Sequence, residues 1–275
     1  MLLIAAALAE ELKVALDLCN TRTRLQMSGG SCWSGKYLGR TILFLKTGAG
    51  PRRSSKKLDA LLASRRPDRI LLIGYAGALA PELKIGDLVV LQEASIFGEH
   101  NANRQPLDQV EITEGYDLKY SSELFNLIQR AGIRAHCGKG LTSPFILGNP
   151  DQKRILYRRF EALTIDMETA AMARVARAAG GVPLACVRAI SDEVDDEVLA
   201  PFSYDPGTSK WCRATRVLGA GNWRDRFKSW REHAGKARVS LEGFLQICFE
   251  TWATGDPDSS WLSSKQPPRH QDTSS

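Results

Sequence analysis

Ile165-Asp166-Met167-Glu168-Thr169-Ala170-Ala171 is the stretch on which the fold turns. Ala162-Leu163-Thr164-Ile165 leads into it as a short apolar and β-branched run, whereas beyond Glu168 the residues Met172, Val175, Ala176 and Ala179 fall at i, i+3, i+4 and i+7. The period changes from strand to helix, so Glu168 stands at a β-to-α turn. Gly180-Gly181 stops that helix and Pro183 prevents its resumption. Leu184-Ala185-Cys186-Val187-Arg188-Ala189-Ile190 then reads as a second, buried strand. Asp192 follows its end, within Arg188-Ala189-Ile190-Ser191-Asp192-Glu193. Ligands of parallel α/β sheets bind outside the carboxyl ends of the strands, and right-handed crossovers set successive strands parallel. Glu168 and Asp192 are therefore expected to share one crevice, carried by neighbouring parallel strands. Both acids would also suit solvated helix starts, where the helix dipole favours negative charge. Arg188 points the other way: an arginine inside an apolar strand is costly to bury without a carboxylate partner, and Glu168 is the partner expected.

Working outward, strands are expected at Leu2 to Leu8, Thr41 to Thr47, Ile70 to Ile73, Asp87 to Leu91, Gly140 to Thr142, Leu163 to Met167 and Leu184 to Ile190. Helices are expected at Glu11 to Leu18, Ser54 to Ser64, Ser122 to Ala131, Pro150 to Phe160, Thr169 to Ala179 and Ala234 to Phe249. The last of these aligns Ala237, Leu241, Phe244, Leu245 and Cys248 on one face. The alternation marks an α/β protein, a single-domain mixed twisted sheet flanked by helices. Two glycine-rich stretches, Thr47-Gly48-Ala49-Gly50 and Gly74-Tyr75-Ala76-Gly77-Ala78, are read as turns where backbone can approach a ligand. Met1-Leu2-Leu3-Ile4-Ala5-Ala6-Ala7-Leu8-Ala9 imitates a signal peptide but lacks a basic start. It is read as a first buried strand, which adds Glu10 and Glu11 as a third acidic group at a strand end.

With 275 residues, 43% of them hydrophobic, the chain can fill one large core, and no linker composition interrupts its first two hundred or so residues. One domain is expected over residues 1–250, with an insertion at about 199–231 and a disordered tail over 251–275. Six cysteines, at 19, 32, 137, 186, 212 and 248, show no metal-like spacing and read as reduced thiols in the cytoplasm. The formal charge of +6 comes from the segment Lys210 to Arg238, where Trp211, Trp223 and Trp230 are interleaved with nine basic residues. That composition suits a solvated helical insertion, and also a membrane surface; nucleic acid is the less expected partner. No stretch is apolar and long enough to span a membrane.

These motifs, taken in order, resemble the nucleoside phosphorylase/nucleosidase superfamily, and within it the 5'-methylthioadenosine/S-adenosylhomocysteine nucleosidases. The resemblance runs through Ala7-Leu8-Ala9-Glu10-Glu11-Leu12, Thr47-Gly48-Ala49-Gly50, Gly74-Tyr75-Ala76-Gly77-Ala78 with Gly86-Asp87-Leu88-Val89, Ser143-Pro144-Phe145-Ile146, Asp166-Met167-Glu168 and Arg188-Ala189-Ile190-Ser191-Asp192. It covers about residues 1–198 and implies a purine nucleoside phosphorylase-like fold, a homodimer, a purine nucleoside substrate and neither metal nor cofactor. Asp192 resembles the general acid that protonates purine N7, with Ser191 orienting it, and Glu11 resembles the base that activates water. Glu168 would hold the ribose hydroxyls, supported by Arg188; Phe145 would stack on the purine and the Ile146 backbone would read its edge. Leu8 and Met167 would line the apolar side near the ribose, and Ala76 and Gly77 would lie against the substrate.

The chemistry agrees. Breaking an N-glycosidic bond makes an oxocarbenium-like sugar and a poor purine anion, so it needs a proton donor for the base and carboxylate near the sugar. A donor must hold a proton near neutral pH, which calls for a closed site or help from the bound base, and a lid including part of the segment after Asp192 is expected. Where the hexameric phosphorylases carry a phosphate-binding arginine, this chain has Leu71-Leu72-Ile73, which favours water as nucleophile; Arg52-Arg53 after Gly50 could still reach an anion. Tyr75 replaces a small hydroxyl residue and Ala49 a larger apolar one, so the pocket for the 5' substituent differs from that of the nucleosidases. The alternatives are a hopanoid-associated enzyme acting on an adenosylated lipid, a phosphate-dependent purine nucleoside phosphorylase, and a basic membrane- or nucleic-acid-binding module on the same fold. Retention of Glu11, Glu168 and Asp192 argues against the last.

Overall fold

The computed structural model describes residues 1–27, 31–97, 107–198 and 223–254, with side chains in the final segment from residue 232 onward. The described residues form ten strands in one mixed sheet: β1 (Leu2–Ala6), β2 (Thr21–Leu25), β3 (Ser31–Tyr37), β4 (Arg40–Lys46), β5 (Arg69–Ala78), β6 (Leu88–Phe97), β7 (Ile112–Asp117), β8 (Ala135–Thr142), β9 (Thr164–Asp166) and β10 (Leu184–Asp192). The helices are α1 (Ala9–Asp17), α2 (Pro51–Ser64), α3 (Ser121–Arg130), α4 (Pro150–Phe160), α5 (Thr169–Ala178) and α6 (Trp223–Thr254).

β5 is the axis of the sheet. It is parallel to β1 on one edge and to β10 on the other, and at its carboxyl end it also pairs antiparallel with β9. β10 continues through β6 and β8 back to β9, so five strands close on themselves around the end of β5. Beyond β1 the sheet runs out through β4, β3 and β2. Alternation along β5 sorts its side chains into two cores. Leu71 and Ile73 pack with α1, α3 and α6, and Ile70 and Leu72 with α2 and α5. The stripe expected on the last helix is fully buried, from Ala237 to Cys248. Burying its Leu241, Phe244 and Leu245 contributes about 1.5–3 kcal/mol each.

The structure corrects several expectations. Gly74 to Ala78 is not a turn but the last part of β5. β9 and β10 are not parallel neighbours: β9 runs against β5 and β10 runs with it, so the two have opposite sense and meet only at Gly77, which is level with both Ile165 and Asp192. β2, β3 and β7 were not expected as strands. Residues 251–254 belong to α6 rather than to a disordered tail, and the backbone of the expected insertion is helical from Trp223. Residues 210–222 of the basic segment, Cys212 among them, and the tail beyond 254 lie outside the described residues. The N-terminal run forms β1, central and wholly buried, as expected. Among the described residues no helix is long and apolar enough to cross a membrane.

Candidate active site

The reversal of β9 places charged groups at two levels along β5. Running back from Gly77, β9 delivers Asp166 and Glu168 towards Gly74, which is level with Arg188 on β10. Asp192 stays at Gly77. The levels are three residues apart, about 10 Å at the rise of a strand.

At the Gly74 level Arg188 is fully buried. Its nearest carboxylate is Asp166, not Glu168: Nε donates to Asp166 Oδ2 at 3.1 Å and Nη2 to Thr169 Oγ1 at 2.7 Å, while Glu168 Oε2 lies 3.8 Å from Nη2. Asp166 also takes over the capping of α5. Its Oδ1 accepts from the backbone N–H of Glu168 and Thr169 at 2.9 and 3.0 Å and from Thr142 Oγ1 at 3.0 Å. Glu168 occupies the N-cap position, yet its side chain makes no cap hydrogen bond and instead accepts from Gly50 N at 2.8 Å. The glycine turn before α2 therefore receives the protein's own carboxylate. Arg52 and Arg53, beyond it, are exposed in the first turn of α2.

Glu11 reaches the same place from α1. Its carboxylate accepts from Leu8 N at 2.7 Å, as in a capping box, and from Tyr75 N at 2.9 Å. Only glycine fits at position 74, because a Cβ there would lie 2.5 Å from Arg188 Nη1 and 2.9 Å from Glu11 Oε1. Burial pushes the Glu11 carboxyl above its ordinary range despite the two N–H groups and Arg188. Burial likewise pushes Glu168 up to about 7, with Arg188 opposing and Asp166 assisting. Tyr75 sends its ring into the core beneath α1 and α6.

At the Gly77 level, Ser191 Oγ donates to Asp192 Oδ1 at 2.8 Å and can turn to the Ala76 carbonyl at 3.3 Å. Asp192 Oδ2 meets Lys153 Nζ at 2.6 Å, and a Cβ on Gly77 would lie 2.8 Å from the same oxygen. Phe145 and Ile146, both half-buried, lie in the loop after β8; Phe145 stands edge-on to Phe97 with ring centroids 6.3 Å apart. Leu8 is exposed beside Glu11, and Met167 is half-buried between Asp166 and Glu168. The crevice thus holds surplus carboxylate at one end and a carboxylate with a cation at the other, an arrangement able to stabilise positive charge and deliver a proton on a single elongated ligand.

Comparison with known proteins fits this geometry. The family model described as the phosphorylase superfamily matches residues 2–213. The chain belongs to the phosphorylase superfamily. Over 207 residues it is 27% identical to the 5'-methylthioadenosine/S-adenosylhomocysteine nucleosidase of Actinobacillus succinogenes, covering 72% of this chain and 88% of that protein. Among solved structures, the nucleosidase of that name from Neisseria meningitidis, in complex with methylthio-immucillin-A, superposes with a TM-score of 0.68 at 16% identity, covering 90% of this chain and 98% of that one. Futalosine hydrolase of Helicobacter pylori superposes with a TM-score of 0.70 at 20% identity, covering 90% and 97%.

Two residues of this superfamily member's crevice were not singled out from sequence, the capping Asp166 and the buried Lys153. Lys153 could have been found as Arg188 was, since it lies three residues before Leu156 on the helix stripe that faces inward. Among the described residues, Cys19, Cys32, Cys137, Cys186 and Cys248 are free thiols.

Proposed function

We propose that the chain is a purine nucleoside N-ribosyl hydrolase acting on a 5'-substituted adenosine of the methylthioadenosine or S-adenosylhomocysteine type. The observation that carries this reading is the two-level array along β5, with Glu11, Glu168 and Arg188 at Gly74 and Asp192 at Gly77. The sugar lies at the first level, its hydroxyls on Glu168, and the purine at the second, between Phe145 and Asp192. Asp192 gives its proton to N7; the C1'–N9 bond breaks with its electron pair going to the purine; a water oxygen bonds to C1' and its proton passes to Glu11. Burial raises the Glu11 carboxyl, which makes its carboxylate a stronger base. Leu8 and Met167 flank the sugar and its 5' substituent.

Water rather than phosphate is favoured because the turn before α2 is filled by Glu168, and Arg188 is engaged by Asp166 and Thr169. The test is a screen of methylthioadenosine, S-adenosylhomocysteine, adenosine and futalosine with and without phosphate, following free base and sugar by chromatography. Equal base release in both buffers, with a free reducing sugar, is expected. Release that requires phosphate and yields a sugar 1-phosphate would overturn the assignment.

A further inference from the structure

Lys153 carries a buried charge that the steps above do not use. It is completely inaccessible on α4, a helix fixed at its start by Asn149, whose side chain accepts from Asp151 N at 2.8 Å and Gln152 N at 3.3 Å. Its ammonium donates to Asp192 Oδ2 at 2.6 Å, to the Glu193 carbonyl at 2.7 Å and to the Asp196 carbonyl at 3.2 Å. An ammonium has three N–H groups, and all three are used.

The segment that supplies those carbonyls is itself anchored. Glu193 accepts from Lys84 Nζ at 2.8 Å and Ile85 N at 3.3 Å, and Val198 N donates to the Gly148 carbonyl at 2.9 Å. Gly148 lies just past Phe145 and Ile146, in the loop that leads into α4. Lys153 therefore ties together Asp192, the chain leaving β10 and the loop that carries the purine-facing residues. Lys153 on Oδ2 and Ser191 beside Oδ1 fix the plane of the group; in the acid form the proton is on Oδ1, and Ser191 Oγ donates to the Ala76 carbonyl instead.

We infer that Lys153 is the positioning residue of the general acid: it aims the Asp192 carboxyl group and meets the negative charge that appears there when the proton leaves. The inference rests on the hydrolase reading. As the Asp192 O–H bond breaks and the N7–H bond forms, Asp192 becomes a carboxylate facing an ammonium that is already in place, so the charge is stabilised without rearrangement. The purine keeps the electron pair of the C1'–N9 bond. Asp192 regains a proton from solvent and Glu11 gives one up, which closes the cycle. Such a residue matters only when the leaving group needs a proton.

Two substrates separate that role from a structural one: methylthioadenosine, and the 4-nitrophenyl riboside of the same 5-methylthio sugar, whose leaving group departs as a stable anion. Lys153→Met is expected to lower kcat on methylthioadenosine by about thirtyfold or more, a part of the roughly hundredfold to ten-thousandfold that a general acid contributes, with KM changed by less than about threefold. On the nitrophenyl riboside kcat should fall by no more than about threefold. Lys153→Gln, which keeps N–H donors for the carbonyls but not the charge, should show the same split and serves if the methionine variant does not fold, as judged by thermal melting. Equal losses on both substrates, or no loss on either, would overturn the proposal. A wild type that releases neither adenine nor nitrophenol removes the hydrolase reading, and the proposal with it.

Discussion

The two ends of the crevice use buried charge in opposite ways. At Gly74 one guanidinium serves three acids, Glu11, Asp166 and Glu168, and burial, opposed by Arg188, leaves Glu11 and Glu168 holding protons more tightly than they would in water. At Gly77 one ammonium meets one carboxylate, and its remaining donors go to backbone carbonyls. On the proposed reading the acid-rich end faces the sugar, which becomes cationic as the bond breaks, and the end that contains the ammonium faces the purine, which becomes anionic. The crevice would then be polarised along the bond to be broken, and each end can be attacked separately.

The largest effect is expected from Asp192→Asn, which should lower kcat on methylthioadenosine by about a hundredfold to ten-thousandfold. It does not leave the fold untouched. Lys153 would then be a buried cation without an anion, so the melting temperature should fall, and adding Lys153→Met to the same chain should restore part of it without restoring activity. Chromatography and thermal melts of the single and double variants check both halves. Undiminished turnover in Asp192→Asn would place the acid elsewhere.

What sequence could reveal of this polarity depended on how each charge is carried. Arg188 was legible because six apolar residues surround it in one strand, and Glu168 because the period changes beside it. Lys153 has only its three-residue spacing from Leu156 to mark it, because a lysine in a helix with four arginine and aspartate neighbours otherwise reads as part of a solvated face. β2, with Thr21-Arg22-Thr23-Arg24, and β7 are edge strands that pack against the core through single side chains, Leu25 and Tyr116, too few to show a period. Gly74 to Ala78 looked like a turn because glycine is the usual punctuation; here its smallness makes room for Arg188, Glu11 and Asp192 against an extended strand. The sense of β9 was not legible at all. A strand of three residues has too few side chains to show direction, and only its pairing with β5 and β8 sets it.

At the crowded end Arg188→Met should cost about 3–5 kcal/mol of stability, because Asp166, Glu168 and Glu11 lose their shared cation in a site closed to water. Lys153→Met should cost clearly less, since Asp192 is 13% exposed whereas Asp166 is 1% exposed. Urea unfolding of the two variants orders them. If Lys153→Met proved the more damaging, the ammonium rather than the guanidinium would be the main prop of the crevice.

The smallest effect concerns protons at the same end. Glu168 holds its carboxyl near 7 in the folded chain against an ordinary value of 4.5, so it favours the folded state while protonated. That contribution is complete below about pH 4.5 and disappears as the pH rises through about 7. Glu168→Gln keeps an acceptor for Gly50 N and cannot ionise. The variant should therefore gain stability relative to wild type between pH 5 and pH 8, by at most about 3 kcal/mol. Paired thermal melts across that range would show the gap opening with pH. A gap that stays constant would mean that Glu168 is ionised throughout, held by Arg188 although that guanidinium is nearer to Asp166; two carboxylates would then share one cation, and the Gly74 end would keep its net negative charge across the whole range while the Gly77 end stays balanced.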